Sequence, residues 1–262
     1  MASNKTVLDE EIAEPIVRVS NLSRTYDTSN SVVRALDNVS IDIRRGEFLS
    51  VLGPSGCGKT TLLNILAGFE PQTGGSAQFD GQPIIGPSPR RGVVFQDTNA
   101  LFPWMTVEQN VEFGLQSLTL GKAERKQRVL QALNLVRLQD FATSYPRQLS
   151  GGMRQLVAIA RVAVMDADLL LMDEPFAALD AITRQRMQTQ LVEIWSQTRF
   201  SALFITHSID EAIYLGDRVA IMSPRPGRIR EILDVDLPRP RDLASTGFNS
   251  LRGTALKFLN DI

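Results

Sequence analysis

The residues of this 262-residue chain best suited to chemistry lie in one short stretch, Gly53-Pro54-Ser55-Gly56-Cys57-Gly58-Lys59-Thr60-Thr61. Gly53, Gly58, Lys59 and Thr60 match every fixed position of the phosphate-binding P-loop pattern G-x-x-x-x-G-K-[ST]. Glycines let successive backbone N–H groups point at one centre, which makes an anion-binding nest. A helix beginning at Lys59 adds unpaired N–H groups and the positive end of its dipole. Lys59 should meet the β- and γ-phosphates of a nucleotide, and the Thr60 hydroxyl should ligate Mg²⁺.

Two further segments are expected to work with this loop. Leu169-Leu170-Leu171-Met172 is an apolar run closed by Asp173 and Glu174. A strand there, beside the P-loop strand, would carry Asp173 to the metal through water. Glu174, one residue further out, could accept a proton from an attacking water. Ser150-Gly151-Gly152-Met153 opens a helix expected to run to residue 164, with Ser150 as its N-cap. Its backbone N–H groups make a second anion site, which suggests two chains facing head to tail. His207 is the one histidine, and it follows a strand expected at 202–206.

The elements that must position these residues follow from periodicity. Residues 48–52 read as a buried strand and 59–67 as a helix with Leu62, Leu63 and Leu66 on one face. An edge strand at 16–19, Tyr26 in a polar loop, and a strand at 39–43 form a small β region before the P-loop. Short strands at 76–79 and 92–96 follow, the latter ending in Gln96. Residues 106–161 turn helical, with Val129, Leu130, Leu133 and Val136 at helical spacing inside a helix at 123–138. Strands at 169–172, 202–206 and 218–222 then alternate with helices at 181–197 and 209–215, arguing for a mostly parallel sheet. Residues 224–227 read as a turn and 237–241 as a stiff extended connector. Phe248, Leu251, Ala255, Phe258 and Leu259 fall on one face of a short terminal helix.

The order of these motifs resembles that of ATP-binding cassette (ABC) ATPases, over about residues 16–226. The matching segments are Gly53 to Thr60, Gln96, Leu149 to Met153, Leu169 to Glu174, Ala178-Leu179-Asp180, and His207. The resemblance implies an α/β P-loop NTPase core with an antiparallel N-terminal β region and a helical subdomain inserted between P-loop and Walker B, at about 97–164. Residues 1–14 are expected as a tail, 15–236 as the ATPase domain and 237–262 as a C-terminal extension. It implies ATP and Mg²⁺ as ligands, hydrolysis to ADP and phosphate, and a dimer enclosing two ATP. The P-loop of one subunit, residues 53–61, and Ser150, Gly151, Gly152, Met153 and Asp180 of the other would hold each nucleotide. Gln96 would sense metal and water, Glu174 would be the base, and His207 would bind the γ-phosphate and orient Glu174. Tyr26 resembles the aromatic that stacks on adenine. Met153 departs from the usual Gln of the signature segment, so any side-chain contact from that position is lost. Cys57 has no assigned chemistry, only expected exposure to thiol reagents.

Composition narrows the class. A hydrophobic fraction of 43%, charged fraction of 22% and net charge of −1 are those of an ordinary core-forming chain with no general call for a polyanion partner. The single cysteine excludes an intrachain disulfide or a Cys-based zinc cluster. No apolar run approaches the ~20 residues of a spanning helix, and residues 1–14 lack the blocks of a signal peptide. The P-loop-to-signature interval leaves no room for a long coiled coil, which argues against a DNA-repair or chromosome-structure ATPase. A stand-alone importer subunit on the cytoplasmic face of the membrane fits best, with no nucleic acid as partner; the alternative is a soluble ABC-type ATPase acting on a cytoplasmic process such as DNA repair or translation. Its expected partners are a second cassette, transmembrane permease subunits and a periplasmic or extracellular solute-binding protein. Arg91 to Gln96, Leu101 to Trp104, Asp173 to Asp180 and Ser223 to Gly227 resemble the nitrate/taurine/aliphatic-sulfonate importer group. Leu101, Phe102, Trp104 and Met105 are expected to line the groove for a membrane subunit's coupling helix, with core packing as the rival explanation. Taurine or another sulfonate is the first substrate expected, nitrate the second.

Overall fold

The computed structural model describes residues 14–28, 31–96 and 101–260. The expected tail therefore lies almost wholly outside the described residues, as do residues 97–100 of the segment after Gln96.

The chain opens with two long antiparallel strands, β1 (Val17–Thr28) and β2 (Ser31–Ile43). Next come β3 (Phe48–Leu52), α1 (Lys59–Ala67), β4 (Gly74–Phe79), β5 (Gln82–Pro83) and β6 (Arg91–Val94). The helical insert holds α2 (Val107–Phe113), α3 (Lys122–Leu135) and α4 (Gly151–Ala163). The chain then alternates through β7 (Leu169–Asp173), α5 (Ala181–Thr198), β8 (Ser201–Thr206), α6 (Ile209–Leu215) and β9 (Arg218–Met222). It closes with β10 (Ile229–Asp234) and α7 (Thr246–Asn260).

Two sheets result, one ordered β2-β1-β4-β5 and antiparallel, the other β10-β9-β3-β8-β7-β6. The larger is parallel throughout except where β10 pairs with β9. Its central strands are buried on both faces, which is why they read as unbroken apolar runs. Alternate residues of each strand face opposite cores. Phe48, Leu170, Met172, Phe204 and Ile221 join the core under α2 to α7. Leu49, Leu169, Leu171, Ile205 and Ala220 join the other, with α1 and the small sheet.

Several expectations need correcting. β1 is no edge strand: it lies between β2 and β4 and runs to Thr28, so Tyr26 sits in a strand and not in a polar loop. The first expected helix of the insert ends early, because Arg137 takes the left-handed conformation at φ 57°, and Leu130 faces solvent. β10 was not foreseen. Leu101 is buried in the core, so it lines no groove.

Candidate nucleotide site

The P-loop leaves the C-terminal end of β3, Asp173 closes β7, and His207 follows β8. All three therefore meet along the carboxyl edge of the parallel strands, where open α/β sheets place ligands. Gly58, at φ 101°, caps α1 in a left-handed conformation, and a Cβ there would stand 2.8 Å from the Ala35 carbonyl oxygen. Only glycine meets both demands at that turn.

One cavity of about 330 Å³ gathers Tyr26, Ser55, Gly56, Gly58, Lys59, Thr60, Thr61, Gln96, Asp173 and Glu174. Lys59 is buried, and its Nζ donates to the carbonyls of Gly53 at 2.7 Å and Pro54 at 3.0 Å. The same ammonium is 3.8 Å from Glu174 Oε1. Thr60 Oγ1 donates to Asp173 Oδ2 at 3.0 Å. Burial pushes the Asp173 carboxyl up from its usual range; the Thr60 hydroxyl opposes this and the Glu174 charge adds to it. Thr60, Asp173 and Gln96 are the oxygen donors that could hold a divalent cation. Among the described residues no three His, Cys, Asp or Glu side chains converge. That sparse set suits Mg²⁺, which keeps waters and takes phosphate oxygens alongside one or two carboxylates.

Glu174 stands at φ 42°, a conformation that costs a non-glycine residue roughly 1–2 kcal/mol. Its N–H donates to Ile205 O at 3.0 Å, and its Oε2 meets His207 Nδ1 at 2.8 Å. The strained backbone thus turns the carboxylate off the strand end toward both His207 and Lys59.

Tyr26 presents a ring that Arg24 covers, with the guanidinium 4.6 Å from the centroid. The Tyr26 hydroxyl bonds to Glu70 and approaches Thr61 Oγ1 at 3.5 Å. Cys57 corrects the expectation of reagent access. It is buried at 1% exposure in the core against α1, and that burial raises its thiol pKa. Gly53 and Pro54 serve the loop through their carbonyls and do not line the cavity.

Ser150, Gly151, Gly152, Met153 and Asp180 do not line this cavity either. Ser150 Oγ caps α4 by accepting from Met153 N at 3.3 Å. Asp180 caps α5 through Ile182 N and Thr183 N; the Thr183 side chain, followed by these backbone amides, holds its carboxyl below the usual range. The two helix starts are packed together: a Cβ on Gly152 would stand 3.0 Å from Thr183 Cγ2. Val33, Ala35 and Arg225 also line the cavity and were not foreseen; the first two come with β2, the third with the turn after β9.

A family model described as ABC transporter matches residues 36–177, more than half of the chain. The chain belongs to the ABC transporter family. It is an ATP-binding ATPase subunit of that family. An uncharacterized ABC transporter ATP-binding protein of Methanocaldococcus jannaschii is 48% identical over 94% of this chain and 91% of its own length. The aliphatic sulfonates import ATP-binding protein SsuB of Bacillus cereus is 42% identical over 92% and 94%. The ATP-binding cassette MJ0796, solved as a dimer in a post-hydrolysis state with ADP and Pi, superposes at a TM-score of 0.71. It is 29% identical, over 85% of this chain and 100% of that one. Among the described residues no helix is long and apolar enough to cross a membrane.

Proposed function

We propose that this cassette powers a small-solute importer, with a sulfonate such as taurine as first candidate and nitrate as second. The observation that carries the importer reading is an aromatic cluster on the helical insert. Trp104 is 69% exposed and lies 5.4 Å from the Phe102 ring, which in turn packs 4.6 Å from Phe113. Trp104, Met105 and Phe113 line a groove of about 480 Å³ with Gln109, Glu112 and Arg125. An exposed aromatic groove flanked by polar residues suits an amphipathic helix from a membrane subunit. The 42% identity to a sulfonate-import subunit supports the substrate class.

In this reading two cassettes close head to tail on two ATP, the Ser150–Gly152 segment of each facing the P-loop of the other. A dimeric relative bound to ADP and Pi supports the arrangement. Mg²⁺, held by Thr60 and by Asp173 through water, would neutralise charge on the phosphates. Gln96, which lines the same cavity, would sense metal and water. Glu174 takes the proton of the attacking water, and His207, at 2.8 Å, fixes the carboxylate's orientation. Tyr26, which lines the cavity, would stack its ring on adenine. Closure pulls on the aromatic groove, and the permease changes access at the cytoplasmic face, fed from outside by a solute-binding protein.

The test is co-expression with the membrane subunits of a sulfonate importer, followed by reconstitution with a sulfonate-binding protein. ATP turnover stimulated by a loaded sulfonate-binding protein is the expected result. A permease that Trp104→Ala retains as firmly as the parent would remove the groove from the proposal.

A further inference from the structure

We infer that Arg225 is a nucleotide-binding residue, a second cation for the triphosphate chain beside Lys59. The inference rests on the ATP site described above and adds a residue outside the P-loop to it.

The charge of the cavity calls for one. Its lining carries two carboxylates, Asp173 and Glu174, against the cations Lys59 and Arg225. Without Arg225 the wall facing a polyanion would be net negative. Lys59 is already engaged by two carbonyls and lies near Glu174. Arg225 is not: among the described residues its guanidinium has no hydrogen-bond or ion-pair partner, although it lines the same cavity. One of its terminal nitrogens lies 3.9 Å from where a Cβ on Gly56 would stand, at the rim of the P-loop nest. A planar guanidinium at that rim can fork onto phosphate oxygens.

The turn that carries it is anchored independently of its side chain. Ser223 Oγ donates to the carbonyls of Pro224 and Pro226 and accepts from Arg228 N, each at 3.1 Å. Gly227 N donates to Ala35 O at 2.9 Å, and Gly227 O accepts from Asp37 N at 3.0 Å. Arg228 pairs with buried Asp37. A Cβ at Gly227 would fall 2.1 Å from the Cys57 carbonyl, so the turn presses directly on the P-loop. Arg225 is thus presented on a frame already in place, which lowers the ordering cost of a contact.

The experiment compares Arg225→Gln, Arg225→Lys and Lys59→Ala for binding of ATP, and of inorganic tripolyphosphate competing against a labelled ATP. Arg225→Gln is expected to weaken ATP about tenfold, as loss of one partly exposed charged hydrogen bond would. Tripolyphosphate should weaken by a similar factor, and Arg225→Lys should recover part of the loss for both. Melting temperature without added nucleotide should not move, because the turn is held by Ser223 and Gly227. Unchanged ATP affinity in Arg225→Gln, with Lys59→Ala strongly impaired, overturns the inference and leaves the site standing. Weaker ATP with unchanged tripolyphosphate overturns it too, since the contact would then be to base or ribose. If Lys59→Ala is also without effect, the site itself has been misread.

Discussion

Arginine is used in opposite ways at the two ends of α6. At the nucleotide end, past His207, Arg225 faces a cavity with no hydrogen-bond or ion-pair partner among the described residues. At the other end Arg241 is buried and donates to the carbonyls of Ile213 and Gly216 at 2.6 Å and of Tyr214 and Val235 at 3.1 Å. Arg239 beside it pairs with Asp217, donates to Leu215 O and covers the Trp195 ring at 4.4 Å. Helix termini leave carbonyls without partners, and here one guanidinium satisfies several at once. Burial lowers the Arg241 pKa to about 10. The contrast teaches two uses of one side chain: Arg225 leaves its guanidinium open to the cavity, while Arg241 commits its own to those four carbonyls.

Substitutions can break that contrast, beginning with the largest effect. Glu174→Gln should cut ATP turnover by about 10²–10⁴-fold while retaining nucleotide binding, measured by steady-state hydrolysis and equilibrium titration. Near-parental turnover would remove Glu174 from the base role. Arg241→Met should destabilise the fold by about 3 kcal/mol, since several buried carbonyls lose their donor together. Arg241→Lys should rescue little, because one ammonium cannot reproduce the fork; denaturant unfolding reads both. Lys59→Ala should weaken ATP about tenfold to a hundredfold with little change in melting.

Asp173→Asn gives the smallest shift and sharpens the comparison most. Burial raises the Asp173 carboxyl in the folded chain, so the folded state holds that proton more firmly than the unfolded one. Stability is then lost as pH rises from the ordinary carboxylate range through the raised value, and the penalty persists at neutral pH. Asp173→Asn should therefore melt a few degrees higher than the parent at pH 7.5 without nucleotide, with the gain shrinking toward pH 4. A lower melting temperature at pH 7.5 would show that Asp173 stabilises the fold instead.

Much of this could be read without coordinates. β3, β7, β8 and β9 lie in both cores and so announce themselves as apolar runs, and α6 and β9 have the bounds their sequences suggest. The P-loop, Asp173, Glu174 and His207 were legible because each closes or follows such a run. What escaped depends on partners far along the chain. β10 is half-buried with a register irregularity, and only its pairing with β9 makes it a strand. Leu101 and Trp104 sit three residues apart in one apolar segment, yet one is core and the other is exposed. Cys57 points into the α1 core because the loop turns its side chain away from the cavity. Arg241 lay in what read as a stiff connector, and nothing local betrays that it caps a helix 25 residues upstream.

The six-stranded sheet acts as a bulkhead between two separately packed compartments. Leu170 and Met172 press on the compartment that carries the aromatic groove, whereas Leu169 and Leu171 press on the one that seats the P-loop helix. Adjacent letters of a single strand therefore answer to different neighbours. A packing fault at one would disturb the side that carries the aromatic groove, and at the next the side that seats the P-loop.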